Sequence, residues 1–243
     1  MENIDILAFG VHPDDVELGC SGTLLKHISL GYKVGLIDLT RGELGTRGSA
    51  EIRTIEAQNA VERLQAKFRI NLDMADGFFQ DNFENQIKLI EVIRRFKPTI
   101  VLLNAIRDRH PDHGRAAKMV ADACYYAGLS KIQTSFKGED QDAWRPKNGY
   151  HYIQDYNLKP DFVVDISEFM DEKLRLVKTF KSQFYLPSEL AYKEEKETPI
   201  SGADFLDFLS AKARSYGREA GFTFAEGFTT VRTPGINNLF DLI

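Results

Sequence analysis

The run HPDD, residues 12–15, packs His12, Asp14 and Asp15 directly behind an apolar stretch, and a second run, HPDH, places His110, Asp112 and His113 in a similar setting far downstream. His12, Asp15 and His113 offer two imidazoles and a carboxylate, a donor set suited to Zn²⁺ or to a neighbouring divalent ion such as Fe²⁺ or Co²⁺. Three protein ligands leave the fourth tetrahedral position open, as in catalytic rather than structural zinc sites. Water bound there has its pKa lowered towards about 7 and becomes a nucleophile at neutral pH. Asp14 cannot easily share the metal with its neighbour Asp15 and is free to take that water's proton, which makes it the candidate general base. His110, oriented and made more basic by Asp112, can stay protonated near neutral pH and stabilise an oxyanion or protonate a leaving amine. Arg109 adds a fixed positive charge suited to the oxyanion or to a substrate carboxylate. The chemistry implied is hydrolysis.

Either run alone could be a polar turn in which Pro fixes φ and Asp caps the next helix. Their place in the chain argues otherwise. The first half alternates apolar runs of strand length, at 4–10, 33–40, 69–73 and 99–105, with helical patterns at 16–31, 49–65 and 82–96. Gly31 closes the first helix, Ser49 caps the second, and Lys97-Pro98 ends the third. Such alternation predicts an α/β fold: a Rossmann-like, doubly wound, mostly parallel sheet with helices on both faces. In the order 3-2-1-4, strands one and four are neighbours at the topological switch point, and ligands bind beyond their carboxyl ends. HPDD and HPDH both fall there. The second half reads less regularly, with strands at 148–154, 161–167 and 224–232, a helix over 167–184 capped by Ser167, and another over 201–221 ending at Gly221. One domain over 1–243 is expected, with 1–128 the regular half carrying the metal site and 129–243 completing the cleft.

Several classes are disfavoured. A net charge of −5 provides no basic field for nucleic acid. Two cysteines, Cys20 and Cys124, are too few for a disulfide framework or a cysteine-rich zinc site and read as small core residues. The acidic N-terminus is no signal peptide and no segment approaches the roughly 18 apolar residues of a membrane span, so a cytoplasmic protein is expected. The glycine-rich TRGELGTRG lacks the P-loop pattern and the first turn lacks G-x-G-x-x-G, which argues against nucleotide cofactors. In that loop and the following helix, Glu43 and Arg53 could bind sugar hydroxyls or a substrate acid. His27, on a polar helix face, and His151, within a strand, are left out of the metal site.

These motifs carry a resemblance. HPDD followed by VELGCSGTL, TRGELGTRG with EIRTIEA, and HPDH resemble the LmbE-like, or PIG-L, family of zinc-dependent N-acetylglucosaminide deacetylases. FKPTIVLLNA, FVVDIS, FKSQF and ARSYGREAGFTFAEGF are similar to the bacterial subgroup that deacetylates N-acetylglucosaminyl-malate in bacillithiol biosynthesis. The resemblance implies zinc on His12, Asp15 and His113, Asp14 as base, and His110 with Asp112 at the tetrahedral intermediate. It also implies a homo-oligomer, often hexameric, and an arginine and a tyrosine from the second half near the acyl oxygen, for which Arg145, Tyr185 and Tyr192 are candidates. A malate aglycone has carboxylates that Arg53 or Arg109 could pair with. The rival readings are another N-acetyl sugar, such as a chitooligosaccharide or a mycothiol-type conjugate, and a metal- or carbohydrate-binding module without catalysis. Residues 185–200, with Pro187 and Pro199, are a candidate lid.

Overall fold

The first strand, β1 (Ile6–Gly10), is buried at every position. Its side chains alternate between two apolar clusters, Ile6 and Ala8 in one, Leu7 and Phe9 in the other. Burial on both faces is what a continuous apolar run specifies, and each fully buried Leu or Phe contributes about 1.5–3 kcal/mol. In the computed structural model, which describes residues 3–184 and 195–241, the chain continues through α1 (Asp15–Ser29), β2 (Val34–Asp38), α2 (Ala50–Leu64), β3 (Arg69–Asn71), α3 (Phe83–Phe96), β4 (Ile100–Leu103) and α4 (Pro111–Tyr126). A two-stranded ribbon, β5 (Ser135–Phe136) and β6 (Glu139–Asp140), leads to β7 (Asn148–Tyr152), β8 (Phe162–Asp165), α5 (Met170–Val177), α6 (Phe205–Ala220) and β9 (Ala225–Thr230).

Seven strands form one sheet in the order β3-β2-β1-β4-β7-β9-β8. The 3-2-1-4 order expected of the first half is present, with β1 parallel to both β2 and β4. β7 extends it in parallel, and β9 alone runs against its neighbours β7 and β8. Helices α1, α2, α5 and α6 pack their apolar residues on one face, and α3 and α4 on the other. The carboxyl ends of β1, β4 and β7 therefore lie side by side.

Local signals explain most boundaries. The Ser49 side chain accepts the Ile52 N–H at the start of α2, and Lys97, in the left-handed region before Pro98, ends α3. The helix expected over 167–184 is shorter, running only from Met170 to Val177 with Phe169 at its start, and Ser167 does not cap it. Its hydroxyl donates to Asp165 and accepts the backbone N–H groups of Thr223 and Phe224, tying β8 to the turn before β9. The β5–β6 ribbon was not foreseen: strands of two residues leave too little periodicity to read. His151 is structural, with Nδ1 on Asn104 O at 2.8 Å. No helix among the described residues is long and apolar enough to cross a membrane.

One charged cluster lies inside this framework. Arg69, at the start of β3, forks onto Asp38 (Nε–Oδ2 2.6 Å, Nη2–Oδ1 2.8 Å) and onto Glu17 of α1 (Nη1–Oε1 2.7 Å). All three side chains are buried. It links β2, β3 and the first turn of α1, which follows HPDD.

Candidate active site

His12, Asp14 and Asp15 follow β1, and His110, Asp112 and His113 follow β4, so the fold brings the two motifs together at the switch point. Asp15 is their meeting place: its carboxylate lies 3.7 Å from His12 Nδ1 and 3.2 Å from His113 Nε2. The opposite nitrogen of each imidazole is taken by another carboxylate. His12 Nε2 donates to Asp76 Oδ1 at 3.0 Å, and His113 Nδ1 donates to Asp108 Oδ2 at 2.7 Å. Carboxylates on the outer nitrogens are how metal-binding histidines are oriented and made more basic. The donors left facing inward are His12 Nδ1, the Asp15 carboxylate and His113 Nε2, and this set fits a divalent metal. Nitrogens of His12, His110 and His113 also fall within 4.8 Å of one another, as do ligand atoms of His12, Asp76 and Asp112, but Asp76 is taken by His12 Nε2 and Asp112 by the Gly77 N–H and Arg115, which leaves Asp15 as the anion between the two inward-facing imidazoles.

The anionic surround favours positive charge at this point of the cleft. Burial opposes charge on His113, yet the anionic Asp15 and the hydrogen bond to Asp108 push its imidazole up to about 10. Burial likewise opposes charge on His12, whose pKa is nonetheless raised by Asp76 and Asp15. Asp15 is buried, but the neighbouring His113 holds it well below the usual carboxylate range. Its oxygens also accept the N–H groups of Val11 and His12 and the amides of Asn104 and Gln154.

Asp14 does not cap α1: no side-chain cap bond forms there, and its backbone sits at φ 137°. Such a conformation costs a non-glycine residue about 1–3 kcal/mol, and here it aims a carboxylate into the cavity rather than at the helix. Burial pushes that carboxyl up to about 7, against the pull of Arg53 and with the help of Asp15. Arg53 is itself buried under the glycine-rich loop, held by Gln183 Oε1. A Cβ at Gly42 or Gly45 would collide with its guanidinium nitrogens. Gly42 and Gly45 make room for Arg53, and Gly48 for Ser182, which is a better account of them than any phosphate cradle.

His110 and Asp112 are arranged differently from expectation. The Asp112 carboxylate turns away, accepting the Gly77 N–H at 2.9 Å and pairing with Arg115 at 3.1 Å. It is the backbone N–H of Asp112 that meets His110 Nδ1, at 3.3 Å, as the cap of α4 with Pro111 in the first turn. Burial and the neighbouring His12 and His113 lower the His110 pKa. The Asp112 and Asp15 carboxylates oppose that shift, and with Nδ1 accepting the Asp112 N–H the ring offers its Nε2 edge to the cavity.

A cavity of about 280 Å³ opens over these groups, walled by Arg53, Arg109, Gln154 and, from the second half, Ile200, Phe205 and Phe208. Arg109 is at the rim, its Nε on Asp155 at 2.7 Å. Glu43 is not part of the wall; its carboxylate accepts the Asp76 N–H at 2.9 Å and so steadies the partner of His12. Arg145 is also elsewhere: it donates to Tyr125 O and stacks on the Tyr125 ring at the far end of α4, about 20 Å along the helix from His110. Tyr185 and Tyr192 lie outside the described residues, as does 185–194 of the candidate lid, while Thr198, Pro199 and Ile200 line the cavity.

Asp76, Asp108, Asn104 and Gln154 were missed by motif reading. Each lies within a few residues of a strand's carboxyl end, the region that the switch-point rule singles out. Asp108 even stands inside the stretch that contains HPDH. Asp108→Asn is expected to lower metal affinity roughly 10- to 100-fold, read by competition with a chromophoric chelator; unchanged affinity would mean that Asp108 does not orient His113.

Fold and site together define a class, and comparison agrees: the family model of PIG-L, GlcNAc-PI de-N-acetylase, matches residues 7–124. The chain belongs to the PIG-L/LmbE-like deacetylase family. It is 31% identical to the diacetylchitobiose deacetylase of Thermococcus kodakarensis, an alignment covering 95% of this chain and 84% of that one. The structure of a conserved protein from Thermus thermophilus superposes with a TM-score of 0.82 at 32% identity, covering 96% and 98% of the two chains. The inhibitor-bound N,N'-diacetylchitobiose deacetylase of Pyrococcus horikoshii shares the fold, with a TM-score of 0.76 at 24% identity and coverage of 98% and 88%.

Proposed function

We propose that the protein hydrolyses the acetamide of an N-acetylglucosaminide in a zinc-dependent reaction, and that its substrate is N-acetylglucosaminyl-malate of bacillithiol biosynthesis. The observation that carries the hydrolytic reading is the convergence of His12, Asp15 and His113 beside an uncapped, cavity-facing Asp14. Zinc held by those three residues supplies Lewis acidity and a water acidic enough to ionise near neutral pH. Asp14 accepts the proton of the attacking water. The His110 Nε2–H donates to the acyl oxygen as negative charge develops on it, in a half-buried setting where such a bond is strengthened. Arg53, behind Asp14, keeps that carboxyl from rising further and so keeps it available as a base. As the tetrahedral carbon collapses, the C–N bond breaks and the proton held by Asp14 passes to the departing nitrogen, leaving acetate and a free amine.

A cavity of about 280 Å³ stands at the small end of ligand sites, which run from about 300 to 1,000 Å³. That size suits one sugar ring with a compact aglycone better than an extended oligosaccharide. Among the described residues Arg109 is engaged through Nε by Asp155, which leaves its terminal nitrogens for a carboxylate at the rim. Initial rates on N-acetylglucosaminyl-malate, N,N'-diacetylchitobiose and N-acetylglucosamine test the choice. The malyl glycoside is expected to give the highest kcat/KM, and Arg109→Gln to weaken it selectively. Faster turnover of the disaccharide, with Arg109→Gln indifferent, would replace the malate assignment with a chitooligosaccharide one.

A further inference from the structure

Three consecutive residues after β7 each contact the site. Gln154 Nε2 donates to Asp15 Oδ1 at 2.7 Å. Asp155 Oδ2 accepts Arg109 Nε. The backbone N–H groups of Asp155 and Tyr156 donate to Asp108 Oδ1 at 3.1 and 2.9 Å, while the other oxygen of Asp108 holds His113. The carbonyls of the same three residues converge on one side chain. Lys212 Nζ, from α6, donates to Gln154 O at 2.5 Å, to Asp155 O at 2.7 Å and to Tyr156 O at 3.0 Å. An ammonium has three donors, and all three are spent on this loop.

We infer that Lys212 is a positioning residue for the metal site, locking the 154–156 loop so that Gln154 fixes Asp15 and the loop's N–H groups fix Asp108 behind His113. The inference rests on the reading of Asp15 and His113 as metal ligands. Lys212 does not line the cavity and acts only through these residues. Its helix also provides Phe205 and Phe208 to the cavity wall, so one element sets both the substrate wall and the metal-side loop. A lysine used only to stabilise a surface turn would have no reason to grip a loop whose opposite edge holds two supports of the ligand set.

The test is zinc affinity, measured by chelator competition well below the unfolding midpoint. Lys212→Met keeps the stem and removes the donors; a loss of roughly tenfold is expected, as for other groups that orient metal ligands, with Lys212→Arg recovering part of it. In a double-mutant cycle, Lys212→Met and Gln154→Ala together are expected to lose less than the product of their separate losses, because they act through one loop. Affinity unchanged in Lys212→Met, or losses that simply multiply, would overturn the inference. Should Lys212→Met not fold, Lys212→Gln, which keeps two donors on a shorter stem, takes its place in the same cycle with the same criteria. Wild-type protein that fails to bind zinc would instead overturn the metal-site reading on which it rests.

Discussion

Asp14→Asn is expected to cut amine release from an N-acetylglucosaminide by roughly 10²- to 10⁴-fold, the range for loss of a general base, with zinc still bound. In barrier terms this is about 3–5 kcal/mol. Asn reproduces the shape of Asp, so the variant should keep the turn at φ 137° while losing the proton acceptor. The fold should not suffer, since replacing a buried carboxyl already pushed up to about 7 removes a desolvated charge. A general base works only when deprotonated, so wild-type activity should fall on the acid side as Asp14 takes up a proton. A bound dication would bring that raised carboxyl back down, so the fall should come below pH 7. A loss smaller than tenfold in a zinc-loaded variant would remove Asp14 from the mechanism.

The second large effect concerns stability. Arg69→Leu leaves Glu17 and Asp38 buried without their shared cation, and breaking a buried ion pair by removing one partner costs roughly 3–5 kcal/mol. The urea midpoint should drop accordingly with little change in slope. Arg69→Lys should recover only part of the loss, because an ammonium cannot reproduce the forked contacts to two carboxylates. A cost below about 1 kcal/mol, read against the same slope, would show that the two acids are neutral in the fold and that Arg69 carries little of its stability. Since Glu17 is two residues past Asp15, a weakened network should also loosen the turn that presents HPDD.

Much of the fold was legible because the first half obeys rules that act locally. The apolar run of β1 is buried on both faces, Ser49 and Pro98 punctuate helices, and alternation of strands with helices leads to the 3-2-1-4 order. The placement of HPDD beside HPDH followed from that order. What remained hidden depends on tertiary partners. No local pattern says that β9 inserts between β7 and β8, or that Ser167 serves the turn at Thr223 rather than a helix. The meeting of His12, Asp15 and His113 was readable from motifs, but their supports were not: Asp76, Asp108 and Gln154 come from three different strand ends. Asp112 misled for the opposite reason. Its nearness in sequence to His110 suggested a carboxylate contact, whereas Pro111 starts a helix there and only the Asp112 backbone N–H can reach the ring. Glu43, in a loop that looked suited to a ligand, is spent on the backbone of Asp76.

We propose that the switch-point cleft is a metal-dependent amide hydrolase for N-acetyl sugars. Amine release from N-acetylglucosaminyl-malate and N,N'-diacetylchitobiose, measured before chelation, after chelation and after zinc is restored, tests it most directly. Release that vanishes with the metal and returns with zinc is the expected result. Release that ignores the chelator, or zinc-loaded protein that frees no amine from either sugar, would contradict it.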